Sequence, residues 1–336
     1  MAARRAESPF EIGEESIPAG RRRLIEVPLA RLPTGTWETV SIQVIHGRRP
    51  GPTVFISGAI HGDELNGVAI ARRIIPMLDA RRLAGTVIVV PVVNVLGFVN
   101  QSRYLPDGRD LNRVFPGSSR GSLASRLAHL FMREVVLRCD LGIDLHTASA
   151  ERVNAPQIRA DLDDAETRQL AAVFGAPFSI HARIRDGSLR QAATVRGVRV
   201  LLYESGQRQR FDRRSIEIGV AGTLRVLTAA GMGEWDVAPG ETPIESRSTR
   251  WVRATRSGIA DLDVDLGQAV EKGERLGAVG DVVGGRPTRV KATISGHVIA
   301  RTLNPMVAQG DALVHLAVPG AVEGRDEPAV RRDRRA

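Results

Sequence analysis

Two patterns of apolar residues alternate along the chain: short runs that are almost entirely apolar, and longer segments in which apolar residues recur every three to four positions. The first pattern, rich in Val and Ile, predicts strands, which we place at 39–46, 53–60, 86–93, 141–146 and 198–203. The second pattern predicts amphipathic helices, which we place at 64–78, 119–138, 166–174 and 213–230. Because strands and helices alternate, we expect one α/β domain over 39–235, with a mostly parallel or mixed sheet and flanking helices.

The pattern changes beyond residue 233, where a linker containing Pro and Gly precedes short strands and no helix is expected. This change predicts a smaller all-β domain over 245–318. Within it, VEKGERL (270–276) recurs as VAQGDAL (307–313), with Val, Gly and Leu at matching positions. The repeat resembles the barrel-sandwich fold of biotinyl and lipoyl domains. The expected hairpin tip, 283–287, contains no lysine, so we expect that fold without a swinging cofactor.

Two terminal segments lie outside these predicted domains. Residues 1–38 are expected to form an irregular N-terminal segment, and the charged residues 320–336 a disordered tail.

Charge and composition narrow the range of partners. The formal charge is +9, but the basic residues are scattered and almost all are arginine. Aromatic residues make up only 4% of the chain, too few for a surface that stacks on bases, so we expect no nucleic-acid partner.

The chain has no apolar targeting segment and no run of about 18 apolar residues, so we expect no membrane partner. Cys139 is the only cysteine and is expected to be a packing residue, which fits a cytoplasmic protein. The sequence does not decide whether the chain forms a homo-oligomer.

Three polar segments follow apolar strands: SGAIHGDELNG with His61 and Glu64, GIDLHT with His146, and LLYESG with Glu204. Ligands bind open α/β sheets at the carboxyl ends of the strands, where loops converge on a crevice. Two imidazoles and one carboxylate form a known ligand set for hydrolytic zinc, and the short HxxE spacing lets His61 and Glu64 reach one ion. Gly58 and Gly62 permit a tight turn there, and Asp63 is expected to cap the following helix. The sequence therefore predicts one zinc ion on His61, Glu64 and His146.

Each of these residues also has a plainer interpretation. HxxE is a frequent pattern, and a histidine at a strand end often only donates a hydrogen bond to a backbone carbonyl. The placement of His61 and His146 at two strand ends favours the metal interpretation. Asp63 and Asp144 are candidates for orienting an imidazole. The other histidines have no expected partner at metal spacing and are interpreted as surface or packing residues; they are His46, His129, His181, His297 and His315.

HGDE, GRDLNRVFPG (108–117), GIDLHT and an E-x-G after a strand occur here in that order. In these motifs, the region from about 39 to 232 resembles the succinylglutamate desuccinylase and aspartoacylase family, relatives of the zinc carboxypeptidases. The resemblance implies a zinc carboxypeptidase-like fold with a β-rich C-terminal domain and zinc on the three residues named above. It also implies that Asn112 and Arg113 contact the substrate carboxylate and that Glu204 is the catalytic base. A further substrate arginine is either Arg103 or Arg109.

These assignments predict a zinc-dependent amidohydrolase. Zinc-activated water, with Glu204 as general base, would cleave the amide bond of a small N-acyl amino acid. An arginine beside the metal would select a carboxylate, since guanidinium and carboxylate groups form planar bidentate pairs. The alternatives are a zinc carboxypeptidase acting on a small peptide and a non-catalytic zinc- or ligand-binding protein on the same scaffold.

Overall fold

The computed structural model describes residues 8–182 and 185–320. The strands are β1 (Phe10–Ile12), β2 (Glu15–Ile17), β3 (Arg21–Arg31), β4 (Trp37–His46), β5 (Arg49–Gly58), β6 (Ala84–Val90), β7 (Leu141–Ala148), β8 (Arg152–Ala160), β9 (Phe178–His181), β10 (Arg199–Gln207), β11 (Ile244–Ser246), β12 (Ser248–Arg253), β13 (Gly258–Leu262), β14 (Ala269–Val270), β15 (Arg275–Gly280), β16 (Thr288–Lys291), β17 (Gly296–Thr302), β18 (Met306–Val307) and β19 (Ala312–Val318). The α-helices are α1 (Asn66–Ile74), α2 (Val95–Val99), α3 (Leu123–Glu134), α4 (Ala165–Phe174), α5 (Leu189–Thr194) and α6 (Arg213–Ala229). Short 3₁₀ turns cover Ile75–Met77, Leu111–Arg113 and Val136–Arg138.

One large mixed sheet forms the centre of the molecule. Its strands follow the order β12-β19-β17-β8-β10-β7-β5-β6-β4-β3, with β9, β11 and β14 joined at the side. The middle of the sheet is parallel, since β7 pairs in parallel with both β5 and β10, and β5 pairs in parallel with β6. Antiparallel pairs flank this centre at β4, β3, β8 and β17. The expected α/β fold with a mixed sheet is confirmed.

Helices pack on both faces of this sheet. On one face, α3 and α5 contribute Phe131 and Leu189 to an apolar core that also contains Phe55. On the other face, α1, α4 and α6 contribute Ile70, Phe174 and Leu224 to a second core. These side chains are almost completely buried, which explains why the central strands are apolar on both faces.

The prediction of an irregular N-terminal segment over 1–38 is wrong for the described residues. Arg21–Arg31 forms strand β3, which pairs with β4 along its length at the edge of the sheet. Ile25, Val27 and Leu29 are buried while the residues between them are exposed, the alternation of a half-buried strand. Residues 1–7, and 321–336 of the predicted tail, lie outside the described residues.

The predicted helix at 64–78 begins later than expected, at Asn66, and Asp63 does not cap it. Leu65 occupies the N-cap position without a side-chain hydrogen bond. The carboxylate of Asp63 instead accepts a hydrogen bond from Arg208, at 3.3 Å. Asp63, in the loop after β5, therefore contacts Arg208 in the loop after β10 instead of capping the helix.

Within 231–320, the described residues form strands and no helix, as expected. The two copies of the repeat have the same turn: Gly273 and Gly310 both have φ near 92°. In one copy Glu274 accepts a hydrogen bond from the Glu271 N–H at 2.8 Å, and in the other Asp311 accepts one from the Ala308 N–H at 2.7 Å. The sheet is nevertheless continuous across the predicted domain boundary, because β17 pairs with β8.

Candidate metal and active site

The predicted site residues meet at one edge of the parallel centre of the sheet. His61 follows the end of β5, His146 lies near the end of β7, and Glu204 lies in β10, directly opposite His146 in the strand register. Gly62, next to His61, lets the backbone of this loop lie close to the backbone of Gly97. A Cβ atom added at Gly62 would lie 2.0 Å from the backbone carbon of Gly97. The loop after β5 therefore packs against the middle of α2 with no space for a side chain at position 62.

His61, Glu64 and His146 form a convergent group. The Nδ1 atom of His61 lies 2.7 Å from Oε1 of Glu64, and the Nδ1 atom of His146 lies 2.8 Å from Oε2 of the same carboxylate. One ligand atom from each residue lies within 4.8 Å of the others, and all three side chains are buried. Imidazole nitrogens and a carboxylate oxygen at this separation fit the two-histidine, one-glutamate set of a hydrolytic zinc site, which keeps one position open.

The second nitrogen of each imidazole contacts another carboxylate. Nε2 of His146 lies 2.8 Å from Asp144, and Nε2 of His61 lies 3.1 Å from Asp110. Such contacts fix the ring orientation, so Nδ1 of each histidine faces Glu64. Asp144 has the contact expected of it, whereas Asp63 contacts neither imidazole. The sequence analysis missed Asp110, although it lies in the DLNR segment.

These contacts shift the pKa values of the group. Burial would lower the pKa of His146, but the negative charges of Asp144 and Glu64 outweigh it and raise that pKa well above 6.5. Burial would also lower the pKa of His61, but the negative charge of Glu64 and the hydrogen bond to Asp110 outweigh it and raise that pKa. Burial would raise the pKa of Glu64, yet the two histidines hold it far below its usual range. Protons would therefore compete with any metal ion for the two Nδ1 atoms.

A cavity of about 180 Å³ opens beside the three residues. Glu64 and Glu204 are the carboxylates among its lining residues, and the arginines that line it are Arg103, Arg113, Arg159, Arg185 and Arg190. Five guanidinium groups against two carboxylates make this cavity cationic. A larger cavity of about 720 Å³, beside Met77 and Trp235, shares none of these residues.

The structure separates the two alternative arginines. Arg103 donates hydrogen bonds to Asp110, at 2.9 and 3.1 Å, and to Glu64, at 3.3 Å, and lines the cavity. Arg109 is 53% exposed, contacts Asp107, and does not line the cavity.

Asn112 and Arg113 both line the cavity. The side-chain oxygen of Asn112 accepts a hydrogen bond from the Leu189 N–H at 2.9 Å, which fixes the amide against α5. Arg113 donates to the backbone oxygen of Asn112 at 2.5 Å.

Glu204 lies at the same cavity, with its side chain 23% exposed. Asn154 donates a hydrogen bond to its Oε2 atom at 2.6 Å, and Nε of Arg159 lies 3.9 Å from its Oε1 atom. The following Gly206 has a φ of 74°, and a Cβ atom there would lie 2.6 Å from Asn66. The E-x-G pattern thus reflects a turn that only glycine fits. Asn154, Arg159, Arg185 and Arg190 were not expected from the sequence.

His181 was expected to have no partner at metal spacing, and this is wrong. His181, Asp161 and Asp163 come together near the end of β9. Nδ1 of His181 accepts a hydrogen bond from the Leu162 N–H, however, and Asp163 pairs with Arg247 at 2.5 Å. The remaining predictions for histidines agree with the structure where it shows contacts: His46 is buried against Thr86, and His315 stacks on Trp251.

None of the helices in the described part of the chain has the length and apolar character needed to cross a membrane.

Known proteins resemble this chain in both sequence and fold. Residues 50–230, more than half of the chain, match the succinylglutamate desuccinylase/aspartoacylase catalytic domain. The chain is 30% identical over 296 residues to the N-alpha-acetyl-L-2,4-diaminobutyric acid deacetylase of Halomonas elongata, covering 84% of this chain and 86% of that protein.

Two solved structures share most of the fold. A succinylglutamate desuccinylase/aspartoacylase from Rhodobacter sphaeroides aligns with a TM-score of 0.81 and 27% identity, over 90% of this chain and 98% of the other. The product-bound ectoine utilization protein EutE (DoeB) from Ruegeria pomeroyi aligns with a TM-score of 0.81 and 25% identity, over 93% and 99%. These two alignments cover at least 90% of the chain. From the match over 50–230 and the 30% identity to the deacetylase, the chain belongs to the succinylglutamate desuccinylase/aspartoacylase family of amide-bond hydrolases.

Proposed function

We propose that this chain is a zinc-dependent deacylase that cleaves the amide bond of a small N-acyl amino acid. The observation that carries the proposal is the convergence of His61 and His146, through their Nδ1 atoms, on Glu64 at the wall of a small cationic cavity. One zinc ion would be held by these three residues. When bound, zinc supplies Lewis-acid polarisation of the amide carbonyl and lowers the pKa of a water molecule.

Glu204 is the proposed general base. Its carboxylate lines the same cavity as the three ligands, so it can accept a proton from the attacking water and return it to the departing amine. Glu204 on β10 pairs directly with His146 on the adjacent strand β7, so the strand pairing fixes the distance between the proposed base and this proposed ligand.

The substrate carboxylate is proposed to bind to Asn112, Arg113 and Arg103. All three line the cavity, and a guanidinium group binds a carboxylate through two parallel hydrogen bonds. Arg109 is not proposed for this role, because it does not line the cavity and contacts Asp107 instead.

The cavity favours a small substrate. Its volume of about 180 Å³ lies below the roughly 300–1,000 Å³ of clefts that bind drug-sized ligands. Amide hydrolysis of such a substrate would release a carboxylate and an amino acid. N-acetylaspartate, N-succinylglutamate and N-acetylated diamino acids all fit, and the last class agrees with the name of the Halomonas elongata relative.

The strands over 245–318 are proposed to form a barrel-sandwich-like domain that narrows the entrance to a catalytic domain over 39–235. Narrowing would admit small acylated amino acids and exclude longer peptides, which argues against a carboxypeptidase. We place the protein in the cytoplasm.

A substrate panel tests the proposal. Zinc-loaded protein should release amine from one or more N-acyl amino acids, and the same compound with its carboxylate converted to an amide should react far more slowly. Glu204→Gln should retain zinc and lose nearly all turnover. Faster cleavage of peptides than of every N-acyl amino acid would favour the carboxypeptidase, and zinc binding without any hydrolysis would favour a non-catalytic protein.

A further inference from the structure

Asn154 makes a direct contact with the carboxylate proposed as the base. Its side-chain amide is almost completely buried, and Nδ2 donates to Oε2 of Glu204 at 2.6 Å. The other carboxylate oxygen, Oε1, is the one that faces Arg159, 3.9 Å away. The two oxygens of Glu204 therefore have different surroundings, a neutral donor on one and a more distant cation on the other.

An irregularity in the sheet brings Asn154 to this position. Between β10 and β8, Leu202 pairs with Arg159 and Glu204 with Gln157, so a regular ladder would place Ala155 opposite Gly206. Asn154 is found there instead, because β8 contains one extra residue at this point. Such a bulge turns a side chain toward a new direction, and bulges are common beside active sites. Here it places an amide, rather than the methyl group of alanine, on the face of the sheet that carries Glu204.

The backbone of Asn154 is also held from the other side. Ala300 of β17 pairs with it, and the neighbouring pairs are Arg301 with Val153 and Thr302 with Arg152. Strand β8, which carries Asn154, thus lies between β10, which carries Glu204, and the C-terminal strand β17. Pairing with β17 holds the backbone of the residue that contacts the proposed base.

We infer that Asn154 is a positioning residue for Glu204: it holds Oε2 so that Oε1 is the oxygen that exchanges the proton with water. A glutamate side chain has three rotatable bonds, and a partly exposed one is not held by packing alone. A neutral amide orients the carboxylate without adding a second positive charge to that of Arg159, which already lies 3.9 Å from Oε1, so it does not weaken the base further. This inference rests on the proposed function of Glu204.

Two variants of Asn154 and one control test the inference. Asn154→Ala removes the donor, and Asn154→Asp keeps the shape but replaces the donor with an acceptor that repels Glu204. Asn304→Ala is the control, since Asn304 is exposed and, among the hydrogen bonds of the described chain, its side chain accepts only one, from the Met306 N–H. The measurements are kcat and KM on the best substrate of the panel, zinc content, thermal unfolding, and crystal structures of the zinc-loaded proteins.

Misplacing a reacting group by about 1 Å costs on the order of 100-fold, so Asn154→Ala should lower kcat by about 10- to 100-fold with KM and zinc content unchanged. Asn154→Asp should lower kcat further, and Asn304→Ala should match the wild type. The crystal structure of Asn154→Ala should show Glu204 in a new rotamer or in several.

Two outcomes would overturn the inference. One is wild-type kcat in Asn154→Asp, which would show that only the shape of the side chain matters. The other is an unmoved Glu204 carboxylate in the Asn154→Ala crystal structure. If the wild type hydrolyses no compound of the panel, the proposed function fails, and the crystal structures still decide whether Asn154 holds Glu204.

Discussion

The guanidinium group of Arg103 lies 3.3 Å from the carboxylate of Glu64, although the two residues are 39 positions apart in the sequence. The same guanidinium donates two hydrogen bonds to Asp110, which in turn contacts His61. Arg103 therefore lies beside the proposed ligands and at the cavity, where it can contact both the ligand group and a substrate.

This placement predicts different effects for two arginines that are close in sequence. Arg103→Ala should lower kcat/KM by about 10- to 100-fold, because a hydrogen bond to a charged group contributes on the order of 1.5–3 kcal/mol. Arg109→Ala is the matched control and should leave kcat/KM unchanged, since Arg109 is exposed and contacts Asp107. Steady-state kinetics on one substrate would measure both. A larger loss in Arg109→Ala than in Arg103→Ala would assign the roles the other way.

Gly62 allows a second prediction, about the loop that carries the ligands. Gly62→Ala would place a methyl group 2.0 Å from the backbone of Gly97, so the loop after β5 must move. Overpacking of this kind costs about 1–3 kcal/mol, and the shift should also weaken zinc binding. In the control Gly280→Ala, the new methyl group would meet only Pro287, at 3.7 Å.

Urea unfolding and zinc titration would compare these two glycine variants. We expect reduced stability and reduced zinc affinity in Gly62→Ala alone. Equal stability and equal zinc affinity in both variants would show that the loop does not need a glycine at position 62.

His315 predicts how stability depends on pH. Burial, and then the charges of Arg159 and Arg152, lower the pKa of His315 to about 3. In the unfolded chain the pKa would be near 6.5, so as the pH falls the unfolded state takes up this proton first. The imidazole therefore removes stability between about pH 6.5 and pH 3, by up to about 1.4 kcal/mol per pH unit.

The variant His315→Phe keeps a ring to stack on Trp251, 4.3 Å away, and has no proton to gain. Its free energy of unfolding should fall less steeply than that of the wild type between pH 6.5 and pH 4, as measured by urea unfolding at each pH. Parallel curves for the two proteins would show that His315 is not the source of acid sensitivity.

The parts of the site that could be predicted from the sequence are those encoded by short, local patterns. His61 and Glu64 lie three positions apart after an apolar strand, and His146 lies near the end of another, so strand-end placement was enough to bring them together. The central sheet could be predicted because Val and Ile runs mark strands that are covered on both faces.

The parts that were missed depend on contacts between distant segments. Asn154 and Arg159 face Glu204 because of the pairing of β8 with β10 and its bulge, and a bulge does not appear in the alternation of the sequence. The pairing of β17 with β8 is likewise a backbone contact that the side-chain pattern does not specify. β3 was missed for another reason: the Arg21–Arg23 run and Pro28 obscured a readable alternation at Ile25, Val27 and Leu29.

The most direct test of the account is the zinc content of the purified chain after metal loading and desalting, compared with His146→Ala. Because a structural or catalytic zinc ion needs at least three protein ligands, the wild type should retain about one zinc ion per chain, and the folded variant should retain almost none. Retention of the same zinc content by the variant would contradict a metal site built on His61, Glu64 and His146.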